Sequence, residues 1–402
     1  MRSALEGISI LEIAQGFAAP GGVMYLADQG AEVIKIEPPT GDECRGYFLS
    51  APLGGVAGGF LVANRNKRGI VVDLTNKKGR KVVHKLAQLS DVLVHNFRPG
   101  VEDRLGLDYE TLHGLNPRLI YVSMTSFGRQ GPFAQRRGYD MVTEALSGIL
   151  GHRHMPDGTP VSPGVFAADC STPMMLAYAV TLSLLVRKET GVGQRVDMSL
   201  YNQALMMQLF HLVRSADELN QDKVEEETYR SQALYSPYRC KDGRYLILVI
   251  VTDDQWARFC QVAGLEHLAI QPEFRTVLER AQRASELYPI LEAVFNTKSS
   301  EEWDILLSTA DVPSAPVLAR HEVFTHPQPL MNNMIIEVDN PESGIVEMLG
   351  IPFTLSESPG KIRMPAPSFG QHTEEVLLEL GYSKRQIQKL AASRAVVLSS
   401  KA

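Results

Sequence analysis

A chain of 402 residues, 44% hydrophobic and 21% charged, is long enough for two or three domains and has the composition of a folded protein, which excludes a disordered, collagen-like or coiled-coil chain. A core of that size needs no disulfide or metal staple. The net charge of −6 offers no basic stripe to nucleic acid, and the scattered cysteines Cys44, Cys170, Cys240 and Cys260 form no C-x-x-C pair, which predicts reduced thiols in a cytoplasmic setting.

The N-terminal stretch lacks the long apolar run of a secretory signal. Ile8–Ala14 reads as a strand. In the following GFAAPGGVMYLADQG, Pro20 suits the first turn of a helix and Gly30 its end. Glu32–Glu37 reads as the next strand and completes a βαβ unit. Further strands are expected at Gly69–Leu74, Asp91–Asn96 and Leu119–Met124, with helices over Lys77–Leu89 and Tyr139–Leu150. Such alternation predicts a doubly wound parallel sheet with helices on both faces. Thr172-Pro173 reads as the N-cap and first position of an apolar helix over Pro173–Lys188. Its Met174–Val186 run is too short to span a bilayer and is expected to be buried, so no membrane partner is expected. Gln194–Leu200 is the next strand, and a helix follows from Tyr201.

The acidic run Ala216–Glu227 marks a boundary. Beyond it, SPYRCKDGRYLILVIV reads as a hairpin turning at Lys241-Asp242-Gly243, followed by helices at Asp254–Ala263 and across Glu279–Phe295. Ser299 with Glu302, and Ser383 with Gln386, have the spacing of capping boxes. The expected organisation is a large α/β domain over 1–215, a linker over 216–232, a small α+β domain over 233–315, and a return over 316–402 that completes the large domain.

Several chemistries fail on spacing. The first turn carries Gly16, then Gly21-Gly22, which is not the G-x-G-x-x-G of dinucleotide binding, although Glu37 sits where a ribose-binding acid would. There is no P-loop, no G-x-S-x-G and no H-E-x-x-H, and His152, His154, His321 and His326 form no ligand set, so no metal is expected. The informative segment is VSPGVFAADCSTPMMLAYAVTLSLL. Asp169 lies just before a long apolar helix, where the helix dipole stabilises an anion. A carboxylate held there could attack a carbonyl carbon, or it could simply cap the helix; the pattern alone leaves both open.

The chain resembles the class III (family III) CoA-transferases, the group of formyl-CoA transferase and carnitine CoA-transferase. The stretches that carry the resemblance run nearly end to end: LEGISILEIAQGFAAPGGVMYLADQGAEVIKIEPPTGDECRG, NRNKRGIVVDL, HNFRPGVEDRLGLDYETLHGLNPRLIYVSMTSFGRQGP, RRGYDMVTEALSG, the Asp169 segment with RKETGVGQRVDMSL, and GQHTEEVLLELGYSKRQIQKL. The resemblance implies Asp169 as nucleophile. It implies CoA contacts at Phe17, Ala18, Val72, Asp73, Leu74, Thr75, Asn96, Phe97, Arg98, Arg104, Arg137, Gly138, Tyr139 and Asp140. Gln15 and Tyr139 are the candidate polar contacts to the reacting carbonyl. It further implies an interlocked homodimer, coenzyme A or acyl-CoA as substrate rather than a tightly bound cofactor, and a small carboxylic acid as the second substrate.

The chain departs from that family in places. Pro38 stands where a basic residue is common, and Phe17 replaces the glutamine of the formyl-CoA branch. That branch's glycine-rich loop has no counterpart between Gln232 and Asp254; Tyr229–Tyr238 is a candidate replacement shield. Related 2-methylacyl-CoA racemases carry histidine at the position of Tyr139. With a pKa near ~10, tyrosine abstracts protons poorly at neutral pH, which favours transfer. A CoA-ester isomerase or racemase and a non-catalytic CoA-binding protein remain the alternatives.

Overall fold

The computed structural model describes residues 2–46, 52–53, 55–151, 154–213 and 232–399. The acidic run, His152 and the first residues of the Tyr229–Tyr238 segment lie outside the described residues. Chain contacts divide the protein into two compact units, Met1–Arg214 with Met331–Ala402, and Ser215–Leu330.

The first unit is built on six parallel strands: β1 (Ser9–Ile13), β2 (Glu32–Glu37), β3 (Lys67–Val72), β4 (Val92–His95), β5 (Ile120–Thr125) and β6 (Arg195–Ser199). Short Val396–Val397 adds an antiparallel edge, giving the order Val396–Val397, β3, β2, β1, β4, β5, β6. Ile10 pairs with Val33 on one side and Val92 on the other. β4 and β5 are buried throughout, as apolar strands covered on both faces must be. The chain winds outward from β1 through β3 and then returns to the other side at β4. Loops leaving β1 and β4 therefore diverge, and the crevice between them at the carboxyl edge is where such sheets take ligands.

Two helices cover one face. Helix α1 (Ala18–Asp28) packs along α3 (Ala167–Thr190). The glycines that failed the dinucleotide pattern serve this packing: a Cβ on Gly22 would lie 2.8 Å from Leu176, and one on Gly21 3.1 Å from Pro173. The expectation of a buried helix at Met174–Val186 holds for one face only. Leu176 and Val180 are buried in the core, while Met174, Met175, Tyr178, Leu182, Leu185 and Val186 are exposed. By length and composition alone α3 would pass for a membrane span, but its inner face belongs to the same core as β4 and β5.

The second unit has a three-stranded antiparallel sheet, Tyr235–Arg239, Tyr245–Val249 and Ser314–Pro316, with helices around a core of Trp256, Phe259, Phe295 and Trp303. Its hairpin turns at Gly243, whose φ is +80°. The capping boxes at Ser299 and Ser383 form as the spacing predicts. The expected helix over Glu279–Phe295 is two helices, Val277–Gln282 and Ala284–Phe295, with Arg283 between them.

Candidate active site

The turn after β1 is held from two sides. Gly16 has φ +83°, a left-handed backbone that glycine takes without strain. Gln15 N–H donates to Asn96 Oδ1 at 3.1 Å, and Asn96 Nδ2 donates to the Gln15 carbonyl at 2.7 Å. Gly16 N–H donates to Asp42 Oδ1 at 3.2 Å. Asp42 is anchored in turn by Lys35 at 2.8 Å. Lys35 and Lys67 share Glu12, at 2.9 and 2.6 Å, and all four of these side chains are fully buried. Buried charges persist when paired and hydrogen-bonded like this, and here they brace the loop above them. Glu37 is committed to the same scaffold: Arg45 grips both its oxygens at 2.7 Å and Asp42 N–H donates to it at 3.0 Å. It is not free to bind a ribose.

Asp169 stands on the first turn of α3. Local sequence placed the start of this helix at Thr172-Pro173; it begins at Ala167, and Pro173 lies inside it. The N-cap, Phe166, offers no side-chain cap. The missing caps come from α2 (Asp140–Ser147). Ala167 N–H donates to Glu144 Oε1 at 2.7 Å, and Asp169 N–H donates to Asp140 Oδ1 at 2.8 Å. Asp140 and Glu144, one turn apart, present one face of α2 to the free N–H groups of α3. These long-range acceptors extend the helix by a turn that local signals did not show.

The same carboxyl groups set the electrostatics. Burial, then Asp140, then Glu144 push Asp169 up to about 7. Burial foremost also pushes Glu144 up to about 7 and raises Asp140. Among the described residues, no lysine or arginine forms an ion pair with any of these three acids.

Gln15, Phe17, Ala18, Asn96, Arg98, Arg137, Gly138, Tyr139 and Asp169 line one cavity of about 210 Å³ at the carboxyl edge of the sheet. Arg98 and Arg137 carry no ion pair among the described residues. Other residues implied by the resemblance lie elsewhere. Asp140 sits behind the cavity against α3. Phe97 stacks on the buried His95 ring at 5.0 Å. Arg104 is on the short helix Val101–Leu105, and Val72, Leu74 and Thr75 do not line the cavity. Asp73 lines a second cavity of about 500 Å³ with Pro39 and Arg394, at the edge formed by β3 and Val396–Val397.

Sequence reasoning missed Glu43, Thr125, Ser126 and Leu200, which also line the first cavity. Thr125 ends β5 and Ser126 follows it, so the rule placing ligands at the carboxyl ends of parallel strands would have found them. Glu43 is brought in by a short turn capped by Asp42 and has no local signature.

A family model described as "CoA-transferase family III" matches residues 5–373. An acyl-CoA transferase of Fusarium pseudograminearum is 34% identical over 96% of this chain and 87% of its own length. A succinyl-CoA:glutarate CoA-transferase of Mus musculus is 33% identical over 98% of this chain and 90% of its own length. Among solved structures, that of a CAIB/BAIF family protein from Brucella suis superposes with a TM-score of 0.81 at 30% identity, covering 94% of this chain and 100% of the other.

Proposed function

The chain belongs to CoA-transferase family III, and on that premise we propose that it moves CoA from an acyl-CoA thioester to a free carboxylic acid through covalent intermediates on Asp169. The observation that carries this reading is the Asp169 carboxyl group in a cavity also lined by Arg98 and Arg137, which form no ion pair among the described residues.

Asp169 attacks the thioester carbonyl and expels CoA thiolate, leaving a mixed anhydride. The thiolate then attacks the aspartyl carbonyl, releasing the donor acid and forming an aspartyl-CoA thioester. The acceptor carboxylate displaces the thiolate to give a second anhydride, from which CoA takes the acyl group and frees Asp169. One thioester is exchanged for another, so the bond energy is conserved. Gln15 and Tyr139 are the proposed polar contacts to the reacting carbonyl. Phe17, Ala18, Asn96, Arg98, Arg137 and Gly138 would hold the thioester end of CoA. Val72–Thr75, Phe97 and Arg104 complete the proposed CoA groove, where guanidinium groups suit phosphates, while Asp140 holds the Asp169 turn from behind.

The exposed apolar residues of α3, with exposed Met206, Met207, Leu209 and Phe210, support a homodimer, which is proposed to be interlocked; the unit around residues 233–315 is proposed as an insertion in the large domain. Four unpaired cysteines support a cytoplasmic location.

Because relatives bear the name, succinyl-CoA with glutarate is the first pair to assay. Asp169→Ala is expected to lower transfer by at least ~10³-fold while CoA binding persists. Near-normal transfer in that variant would contradict the mechanism. Deuterium uptake at the α-carbon without an acceptor acid would support isomerisation instead.

A further inference from the structure

Glu144 does not line the Asp169 cavity, yet it is fully buried directly behind the turn that carries Asp169. Its Oε1 accepts the Ala167 N–H at 2.7 Å. Its Oε2 is buried without a hydrogen-bond partner. Asp140 mirrors it, with Oδ1 accepting the Asp169 N–H and Oδ2 buried without an N–H donor. Asp140 and Glu144 lie one turn apart on α2, and a proton on one of them would let these two unpartnered oxygens bond to each other. The turn they grip also needs external support. Pro173 has no N–H to return to the Asp169 carbonyl, so the ladder of α3 lacks a bond at the residue that matters.

We propose that Glu144 is a positioning residue for Asp169: as a protonated acid it donates to Asp140 and clamps Ala167, fixing the turn that presents the Asp169 carboxylate without adding a negative charge beside it. The inference rests on Asp169 being the nucleophile. Other titratable or charged groups facing Asp169 are Asp140 on α2, Cys170 on its own helix, Glu43 and Cys44 in the turn after β2, and Arg98, Arg137 and Tyr139 in the cavity lining. Both thiols are pushed up, burial foremost, and stay neutral. Glu144 is thus a neighbour whose charge can appear near neutral pH.

Glu144→Gln keeps an acceptor for Ala167 and a donor for Asp140 but can never ionise. It should retain kcat within ~3-fold at pH 7.5, and the acid limb of its pH profile should move to lower pH, because the nearby charge that disfavours ionised Asp169 is gone. Glu144→Leu removes acceptor and donor together and should lower kcat by ~10² with little change in KM for acyl-CoA. Trapping the activated aspartyl group with hydroxylamine should fall in parallel. The glutamine variant carries the decision even if the leucine variant does not fold: a kcat loss with an unmoved acid limb overturns the role. Full kcat in a folded leucine variant overturns it equally. If the wild-type enzyme forms no hydroxamate on Asp169 in the same experiment, the nucleophile itself is wrong, and the role of Glu144 falls with it.

Discussion

Two clusters of buried carboxyl groups sit near the carboxyl edge of one sheet, and they are compensated in opposite ways. Around Glu12 and Asp42, the anions meet the ammonium groups of Lys35 and Lys67 within 2.9 Å. Around Asp169, three acids lie together without a salt-bridged cation among the described residues, and two of them are pushed up to about 7. The first arrangement is rigid and chemically quiet, and it holds the Gln15–Gly16 turn through Asp42. The second keeps a carboxylate poorly solvated and poised to titrate near neutrality, which is the condition of reactive groups. Compensation separates the scaffold from the chemistry more cleanly than burial does, since Asp140 and Glu144 are buried as Glu12 and Asp42 are.

The comparison can be broken at either end. The largest effect on stability is expected at the compensated cluster. Glu12→Gln strands two buried ammonium groups with Asp42 as the remaining anion, and should cost about 3–5 kcal/mol in denaturant unfolding. A change under about 1 kcal/mol would mean that the cluster is not the brace described here.

A smaller effect of opposite sign is expected at the uncompensated cluster. Folding raises the Asp169 carboxyl from the ordinary carboxylate range to about 7. Its stabilising contribution is therefore fully present below the unfolded value near ~4 and is lost as pH rises through about 7. Asp169→Asn removes a charge that the fold resists, so the variant should melt higher than wild type at pH 8, with the gap closing towards pH 5. An equal or lower melting temperature at pH 8 would show that Asp169 is compensated by something in the protein after all.

Much of the sheet was legible in the sequence because it rests on local patterns. Glu32–Glu37 and Lys77–Leu89 form the strand and helix their spacing predicts, with the same bounds. The start of α3 was not legible, because Thr172-Pro173 is a good local signal overridden by acceptors about 25 residues upstream. The exposed face of α3 was misread because a continuous apolar run does not tell which of its residues face the core. Asp169 could be singled out as an acid at a helix start, yet capping and catalysis look alike until its neighbours are known. Glu144 carried no signal in the chain, since its role depends on a carboxyl group one turn away and on a helix it does not belong to.

The central claim is that Asp169 becomes acylated during turnover. The direct measurement is to mix the protein with succinyl-CoA and a series of short acyl-CoAs, quench with hydroxylamine, and map the product by peptide mass spectrometry. The account predicts a hydroxamate on Asp169 with each ester that the enzyme turns over. Turnover of an ester that leaves Asp169 unmodified, with a hydroxamate elsewhere or none at all, would contradict it.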